Sequence, residues 1–474
     1  MFRSVLASGL FAAYVAGQST SIYATALGTA NISSLTIITD ATASVPTGSY
    51  SSVTGQITVS TTGVVGNSTM LGNSTMTANS TMTATAHNNS TTTHMSTSTS
   101  NTLLAVGSAH SSTATGTSSA AAPTNTQPCN NYPEFCNRQY SNITEVCAHN
   151  SAFSLPNNVF SNQELSITTM LNDGIRMSES FRAGLPAPTD HITVQGETHY
   201  VNNTIYSCHT SCDFLNAGTY ESELTTVREW LDANPFNVVT LLIVNSDYIN
   251  VENYTTPFKN SGMLEYVYEP PKIPMRLGDW PTLGELILTG KRAVVFMDYQ
   301  ANQNSVPYIM DEFSQMWETP FSPTDPAFPC VTQRPPGITT EEAQDRLYLI
   351  NHNLDLEMSI AGMDVLIPVF SREAELNAVT GNASLGVMAN ECVQKWNRPP
   401  NWLLVDFYNE GNFSVGGTTR EGSVFEVAAN MNNVTYNRSC CGQDTTLNAG
   451  ASLRQGIGMV LMIVAMVSGL VMFW

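Results

Sequence analysis

The sequence has few charged residues, and basic residues are the scarcest among them. Only 12% of its 474 residues are charged, with 18 Lys and Arg against 38 Asp and Glu. A protein that binds DNA or RNA needs a basic surface to displace the counterions of the phosphate backbone. This composition therefore excludes nucleic acid as a partner. Lysine itself occurs only at Lys259, Lys272, Lys291 and Lys395.

Residues 18–127 almost lack charge, and they have a biased composition. Serine and threonine make up 49 of these 110 residues, and Asp40 is the single charged one. The unit Asn-Ser-Thr-Met recurs every six residues from Asn67, and each copy is an acceptor for N-glycosylation. Such a segment cannot bury a hydrophobic core. We predict a disordered, glycosylated stalk, and the alternative is a disordered tail without a role.

Both ends of the chain resemble processing signals. Residues 1–17 contain one basic residue, a short apolar run and small residues at the end, which predicts a secretory signal peptide. Residues 448–474 begin with small residues and end in an uncharged apolar stretch, which is typical of a GPI-anchor signal. A plain transmembrane tail is the alternative. We therefore expect a secreted protein that is held at the cell surface or wall through its C-terminus.

Residues 128–447 hold 37 acidic and 16 basic residues, so this part carries −21 charges. All nine cysteines lie here, which in a secreted chain indicates disulfides. Cys129 and Cys136, and likewise Cys208 and Cys212, are close enough in sequence to close small loops. The odd number leaves one cysteine free or paired elsewhere.

Apolar runs that are typical of buried parallel strands recur through this part. Residues 219–234 between two of them have helical periodicity, with Leu224, Val227, Trp230 and Leu231 on one face. Seven such runs with helical connections predict one α/β barrel of the TIM type, with 364–368 as a candidate eighth strand. The seven runs are 143–148, 174–177, 204–208, 238–244, 293–297, 347–350 and 402–405.

Polar side chains lie at or just beyond the ends of these runs, where the active site of an α/β barrel lies. Two histidines can serve as general base and general acid, because imidazole titrates near neutral pH. An arginine can hold phosphoryl oxygens, and an aspartate can orient an imidazole. This set predicts phosphodiester chemistry. The candidates are His149, Asn150, Arg176, Glu179, Arg182, His209, His352 and Asp406.

Four segments resemble, in order, the phosphatidylinositol-specific phospholipase C X-type domain family, and the secreted phospholipase C-like phosphodiesterases of fungi in particular. They are 143–151 around His149, the tripeptide Gly174-Ile175-Arg176, 207–212 around His209, and 403–408 around Asp406. The resemblance implies that His149 is the general base and His209 the general acid. It also implies that Asp406 orients His149 and that Arg176 positions the phosphate. Asn150, Glu179, Arg182 and His352 are candidate substrate-binding residues.

The favoured reaction requires no cofactor, but calcium is the open alternative. Calcium-dependent members of the family carry asparagine at the position of Asn150 as a metal ligand, and Glu179 aligns with one of their acidic ligands. Phe181 stands where a second acid would be expected. Calcium needs six or more oxygen ligands, so this set looks incomplete.

We therefore expect a monomeric, surface-anchored phosphoric diester hydrolase that acts on a phospholipid or a related phosphodiester. One alternative is a non-catalytic cell-surface glycoprotein that retains the barrel. Another is a metal-dependent phosphodiesterase of the glycerophosphodiester or sphingomyelin type.

Overall fold

The computed structural model describes residues 35–37, 48–50, 55–59, 126–156, 158–181, 204–209, 212, 215–360 and 363–442. The predicted signal peptide, most of the predicted stalk and the predicted anchor lie outside these residues. Within the described part, no helix is long and apolar enough to span a membrane. The strands are β1 (Leu35–Ile37), β2 (Ile57–Thr58), β3 (Glu145–Ala148), β4 (Met177–Phe181), β5 (Tyr206–His209), β6 (Leu215–Thr219), β7 (Val239–Val244), β8 (Lys272–Ile273), β9 (Ala293–Met297), β10 (Ile309–Asp311), β11 (Met316–Glu318), β12 (Leu347–His352), β13 (Asp355–Ile360), β14 (Met363–Pro368), β15 (Trp402–Val405), β16 (Asn412–Val415) and β17 (Thr418–Glu421).

Helices lie between many of these strands. The α-helices are α1 (Ile167–Asp173), α2 (Tyr220–Ala233), α3 (Thr255–Asn260), α4 (Leu283–Leu288), α5 (Glu312–Gln315), α6 (Thr340–Gln344), α7 (Glu373–Leu376), α8 (Leu385–Trp396) and α9 (Ser423–Met431). Short 3₁₀ helices cover Pro133–Asn137, Tyr140–Asn142, Val251–Tyr254, Met263–Glu265, Leu277–Asp279 and Phe370–Arg372. Helix α2 matches the predicted helix, and Thr219 caps its first turn through the Ser222 amide.

Eight parallel strands form one sheet, in the order β10-β9-β7-β4-β3-β15-β12-β11. The two edge strands follow each other in sequence and are joined by the four residues of α5. A flat sheet of eight strands would separate its edges by about 34 Å, whereas a helix of four residues spans about 6 Å. The sheet is therefore curled, and its strands follow chain order around the curve. This is the predicted α/β barrel.

The barrel has an inner and two outer apolar layers. Cys147, Met177, Leu242, Phe296 and Leu404 belong to the cluster inside the barrel. The alternate residues of the same strands pack outward, in one cluster with α8 and α9 and in another with α2 and α3. Side chains alternate between the two faces of a strand, so a residue an even number of positions from an inward residue also points inward. We call this alternation parity, and it decides which side chains reach the mouth of the barrel.

Six of the predicted strands are in the barrel and two predictions are wrong. The run 204–208 became β5, which pairs antiparallel with β6 in a separate hairpin. The run 364–368 became β14, which pairs antiparallel with β13. The two barrel strands that were missed, β10 and β11, have three residues each. A period of two cannot be recognised over three residues.

The disulfides match the predicted small loops. Cys129 is bonded to Cys136, and Cys208 to Cys212. Two further bonds join Cys330 to Cys392 and Cys440 to Cys441. Cys147 remains free and is buried inside the barrel.

The stalk prediction is corrected in part. Residues 35–37, 48–50 and 55–59 fall in the segment that was expected to be disordered, yet β1 pairs with β13 and β2 pairs with β8. These pieces belong to the same compact unit as the barrel, and residues 61–124 lie outside the described residues.

Candidate active site

His149 and Asp406 form a hydrogen-bonded pair at the carboxyl end of the barrel. They follow the neighbouring strands β3 and β15. Each lies two residues beyond an inward side chain, Cys147 or Leu404, so strand alternation turns both inward. His149 Nδ1 lies 2.7 Å from Asp406 Oδ1, and Asp406 is fully buried. The structure thus brings these two predicted residues together.

Two amide side chains hold the pair in place. Asn162 Nδ2 donates to Asp406 Oδ1 at 3.0 Å, and Asn150 Nδ2 donates to Asn162 Oδ1 at 3.1 Å. The amino group of Asn150 therefore also faces His149 Nε2, at 3.2 Å. This network fits an imidazole that carries its proton on Nδ1 and accepts a hydrogen bond at Nε2. Such a ring has the form that a general base requires.

The charges around His149 make it a strong base. Burial alone lowers the pKa of His149, but the carboxylates of Asp406 and Glu179 outweigh it and raise the pKa to about 9. That value favours a protonated ring at neutral pH, whereas the contact from Asn150 favours a free Nε2. At neutral pH the ring is therefore largely protonated, and the contact from Asn150 belongs to the neutral ring that forms as the pH rises.

Glu179 lies on the other side of the imidazole. It follows the inward Met177 by two positions, and its Oε2 lies 3.8 Å from His149 Nε2. The same oxygen accepts from the Asn150 backbone N–H at 3.4 Å. Burial raises the pKa of Glu179 to about 7, although the charge on His149 opposes this rise.

His209 reaches the site from the β5–β6 hairpin rather than from a barrel strand. Its Nδ1 donates to the Phe160 carbonyl at 2.7 Å, and its ring stacks on Phe153. Burial, together with the positive charge on His149, lowers the pKa of His209 to about 3. Phe160 lies two residues before Asn162, whose side chain contacts both His149 and Asp406, so His209 lies at the same end of the barrel as the pair. With this lowered pKa, His209 is neutral in the free protein.

Arg176 does not reach this site, which corrects the prediction that it positions the phosphate. It precedes Met177 at the amino end of β4, and parity turns it outward. Its guanidinium donates to the carbonyls of Leu171 and Ile175 and to the side chains of Asn131 and Asn237. Burial lowers its pKa to about 9. Arg176 thus ties α1 to the amino end of the barrel.

His352 also lies away from the site, contrary to the prediction that it binds substrate. It follows Ile350 of the outer layer by two positions. Its ring packs against Phe328, and its nitrogens lie near Met388 Sδ and the Leu376 carbonyl, at 3.2 and 3.1 Å. Burial lowers its pKa to about 4, so this histidine is a neutral core residue. The predicted substrate residue Arg182 lies outside the described residues.

A layer of inward polar residues was missed by sequence reasoning. Each follows an inward apolar residue of its strand by two positions, as His149 does. Parity counted from the apolar residues would have found the one on β12. The short strands β10 and β11 gave no signal for the others. The missed residues are Glu312, Glu318 and Asn351.

Arg334 balances part of this acidic layer. Its Nη1 donates to Glu318 at 3.0 Å, and its Nη2 lies 3.3 Å from both Asp298 and the Tyr299 hydroxyl. Its side chain is 2% exposed. The pKa of Glu312 is raised well above its usual range, first by burial and then by Glu318, so Glu312 is protonated. Arg334 therefore belongs to an internal ion cluster.

A second group of carboxyls lies behind Asp406. Burial and the charge of Asp406 raise the pKa of Asp355 to about 8. Burial raises the pKa of Glu373 well above its usual range, with Asp406 and Asp355 adding to the rise. Both carboxyl oxygens of Glu373 are buried without a hydrogen-bond partner. Protonated carboxyls here limit the negative charge beside Asp406.

The described residues do not fit a calcium site at Asn150 and Glu179. The Asn150 Oδ1 atom is buried without a partner and could serve as one ligand. The Glu179 carboxylate could serve as another, but calcium requires six or more oxygens. Among the described residues, the one group of three possible metal ligands is Asp173 with Cys440 and Cys441, whose sulfurs are bonded to each other.

An apolar cavity of about 340 Å³ opens beside the catalytic pair. Gln163, which lines it, donates to the carbonyl of His149, and Phe407, the residue after Asp406, forms another part of its wall. Leu155 is half exposed at its edge. The remaining wall is mainly apolar and includes Val159, Leu165, Pro368 and Phe370.

The chain is similar to one protein family and to two fungal proteins. The PI-PLC X family model matches residues 135–416. An uncharacterized secreted protein of Arthroderma benhamiae is 54% identical over 355 residues, which cover 75% of this chain and 75% of that protein. PI-PLC X domain-containing protein 1 of the same fungus is 39% identical over 297 residues, covering 62% of this chain and 89% of its own length.

Two groups of solved structures show distant similarity. A double mutant of the phosphatidylinositol-specific phospholipase C of Staphylococcus aureus gives a TM-score of 0.36 at 12% identity. The match covers 63% of this chain and 94% of that one. The enzyme of the same name from Listeria monocytogenes gives 0.35 at 12% identity, with 60% and 92% covered.

Proposed function

Because the chain belongs to the PI-PLC X domain family, we propose that it is a phosphoric diester hydrolase whose active site is built on His149, His209 and Asp406. The observation that carries the proposal is the buried His149–Asp406 pair with a second imidazole, His209, which is held by the Phe160 carbonyl next to the Asn162 that binds the pair. Residues of these types in this arrangement can move two protons in one reaction.

The proposed reaction has two proton transfers. A hydroxyl of the substrate next to the phosphate attacks phosphorus, and its proton passes to His149 Nε2. The bond from phosphorus to the leaving oxygen breaks, and His209 Nε2 gives that oxygen a proton. The products of this step are a cyclic phosphodiester and a free alcohol. In a second step water attacks the cyclic phosphodiester, His209 takes a proton from the water, and His149 gives its proton to the ring oxygen that leaves phosphorus. This completes the hydrolysis to a phosphate monoester and restores both histidines. Asp406 holds the His149 ring and stabilises the imidazolium that forms.

His209 must gain a proton before it can act as the acid. An anionic phosphate beside it raises its pKa, because an opposite charge favours the protonated ring. An imidazole with so low a pKa in the free protein is a ready proton donor once it is protonated. In this proposal, substrate binding therefore leads to the protonation of His209.

A phospholipid is the favoured substrate. The apolar cavity beside His149 and Asp406 has the size and lining to take an acyl chain. We further propose that the protein is secreted and tethered by residues 448–474, in line with the secreted relative.

Turnover of phosphatidylinositol in mixed micelles by the full chain tests the proposal. His149→Ala and His209→Ala should each lower the turnover by about 10²–10⁴-fold, which is the usual contribution of a general acid or base. His352→Ala is the matched control, since this buried histidine lies outside the site. It should lower stability but keep the turnover per folded molecule.

A substrate with a sulfur leaving atom separates the two roles. A thiolate leaves without a proton, so His209→Ala should regain most of its activity on this substrate. His149→Ala should not. The opposite pattern would make His149 the acid. Equal background rates for wild type and both variants would rule out the hydrolase.

The second candidate is a non-catalytic surface module. It is favoured by one observation: Arg176 is engaged at the amino end of the barrel, so this arginine supplies no positive charge at the site. In that case phosphatidylinositol would bind to wild type and His149→Ala alike without turnover.

A further inference from the structure

A groove of about 280 Å³ lies at the amino end of the barrel, and we call it the amino-end groove. Its wall includes Asn142 and Asn401, which lie just before the neighbouring strands β3 and β15. His149 and Asp406 follow the same two strands at the opposite end. The groove is therefore separate from the candidate active site, and the proposed reaction does not use it.

Asn142 lies at this groove in a form that can carry a glycan. It begins the triplet Asn142-Ile143-Thr144, which is an acceptor for N-glycosylation. Its side chain is exposed, and among the described residues it has no hydrogen-bond partner. A sugar attached to this side chain would therefore break no contact within the described part of the protein.

The backbone beside Asn142 is fixed to the wall of the groove. Thr144 Oγ1 donates to the Pro400 carbonyl at 2.6 Å, and the Thr144 amide donates to Asn432 Oδ1 at 3.0 Å. Asn432 Nδ2 donates in return to the Thr144 carbonyl at 2.7 Å. Pro400 and Asn432 both line the groove. The first sugar on Asn142 would therefore start beside the groove from a rigid position.

The wall offers both kinds of surface that a sugar ring needs. Leu277, Pro399 and Met431 supply apolar surface for the face of the ring. The guanidinium of Arg138 donates one hydrogen bond to the described residues, from Nη1 to the Asn432 carbonyl at 2.9 Å. Its other N–H groups can bind hydroxyl or acetamide oxygens. The volume is close to the lower limit of small-ligand pockets, about 300 Å³, which suits a single sugar ring.

We propose that Asn142 carries an N-linked glycan whose first sugar lies in the amino-end groove. During secretion, Asn142 Nδ2 forms a bond to C1 of the first sugar of a lipid-linked oligosaccharide. The bond from C1 to the lipid pyrophosphate breaks, and Nδ2 loses one proton. After folding, the sugar covers the amino ends of β3 and β15 and stabilises the barrel, while the catalytic end stays open.

The proposal requires that the chain enters the secretory pathway, and its four disulfides favour this route. It does not depend on the proposed reaction. A protein without turnover would still carry this glycan.

Enzymatic release of the glycan from the full chain, secreted by a fungal host, tests this proposal. Peptide N-glycosidase cleaves between asparagine and the first sugar, so it needs access to Asn142. Release from Asn142 should be about tenfold slower in the folded than in the denatured protein, since one or two hydrogen bonds are worth about that factor. Arg138→Ala and Leu277→Ala each remove part of the wall, and each should recover much of this difference.

Thermal unfolding gives a second measurement. Asn142→Gln should lower the melting temperature by about 2–4 °C, because the groove loses its sugar. Asn412→Gln is the matched control, since Asn412 begins another exposed acceptor and does not line the groove. It should leave the melting temperature unchanged.

Three results would overturn the proposal. The first is an unmodified Asn142 in mass spectra of the secreted protein. The second is equal release from folded and denatured protein, which would place the sugar in solvent. The third is slow release that neither Arg138→Ala nor Leu277→Ala changes, which would place the sugar outside the groove. Release is measured on wild type, so the proposal stays testable even if Asn142→Gln is not secreted.

Discussion

Glu179 is the residue whose charge can be removed with the least disturbance of the His149–Asp406 pair. Its carboxylate is one of three, with those of Asp406 and Asp355, that raise the pKa of His149 to about 9. The unprotonated ring is the proposed base, so turnover should rise with pH through this pKa. Glu179→Gln lowers the pKa and should move the rising limb to lower pH by roughly one pH unit.

A full pH profile of turnover for wild type and variant measures this shift. Glu265→Gln removes an exposed carboxylate that is not near the site and should leave the profile unchanged. A limb that stays in place in Glu179→Gln would mean that His149 is not the group that titrates.

At the scale of residues, the sequence predicted His149 and Asp406 because both lie in motifs at strand ends. It misplaced Arg176 and His352, because the strand candidates did not show which side chains turn inward. Whether a side chain points inward or outward depends on how the strand packs, and only the inner and outer apolar clusters of the structure distinguish the two directions. Arg334 could not be found at all, since it lies in a loop after β11 and reaches Glu318 through tertiary contacts.

At the scale of elements, Asp355 at the start of β13 makes the stability of the fold depend on pH. Burial and Asp406 raise the pKa of Asp355 to about 8. Its folded pKa lies above the unfolded value of 3.8, so the folded state holds a proton that the unfolded state has lost. Stability should therefore fall as pH rises from about 4 to 8.

Asp355→Asn mimics the protonated carboxyl and should remove this decline. Thermal unfolding should show the variant equal to wild type near pH 4 and more stable at pH 8. The gain should be roughly 2–4 °C for each kcal/mol recovered. Glu357→Gln, a partly exposed neighbour on the same strand, should show no such gain. A parallel decline in wild type and Asp355→Asn would contradict the assignment.

The wrong strand predictions have one physical cause. β5 and β14 have the same apolar character as barrel strands, because their hairpins bury Leu215, Val365 and Ile367 in a cluster with Phe153 on the catalytic face. A local pattern reports burial but not the partner strand. Five of the six barrel strands overlap well with their predicted runs, because these runs show burial on both faces. The sixth run, 174–177, overlaps β4 only at Met177.

At the scale of the whole molecule, the Cys330–Cys392 disulfide links the loop that carries Arg334 to α8 across 62 residues. Removing it with Cys330→Ala and Cys392→Ala should lower the free energy of unfolding by about 4 kcal/mol, since the unfolded chain gains the entropy of that loop. Denaturant unfolding measures the change.

The matched control is the Cys440–Cys441 pair, whose residues are adjacent in sequence. Its bond closes no loop, so Cys440→Ala with Cys441→Ala should have a much smaller effect. Equal losses in the two double variants would show that packing of the sulfur atoms, rather than loop entropy, sets the stability.

The apolar runs predicted the barrel, but the composition of residues 18–127 did not predict that parts of this segment pair with it. Residues 18–127 have the composition of a disordered segment throughout, yet two short strands and one tyrosine suffice to attach parts of it to the barrel. Backbone pairing does not depend on side-chain type, and a single ring is too small a signal to stand out among 49 serines and threonines.

Cys147 is a natural reporter of the opening of the barrel. The other eight cysteines are in disulfides, and Cys147 is fully buried with a pKa that burial raises well above its usual range. A thiol in this state is shielded from alkylating reagents while the barrel is closed. The rate at which this single sulfur is labelled therefore reports how often the strands part, and it needs no introduced probe.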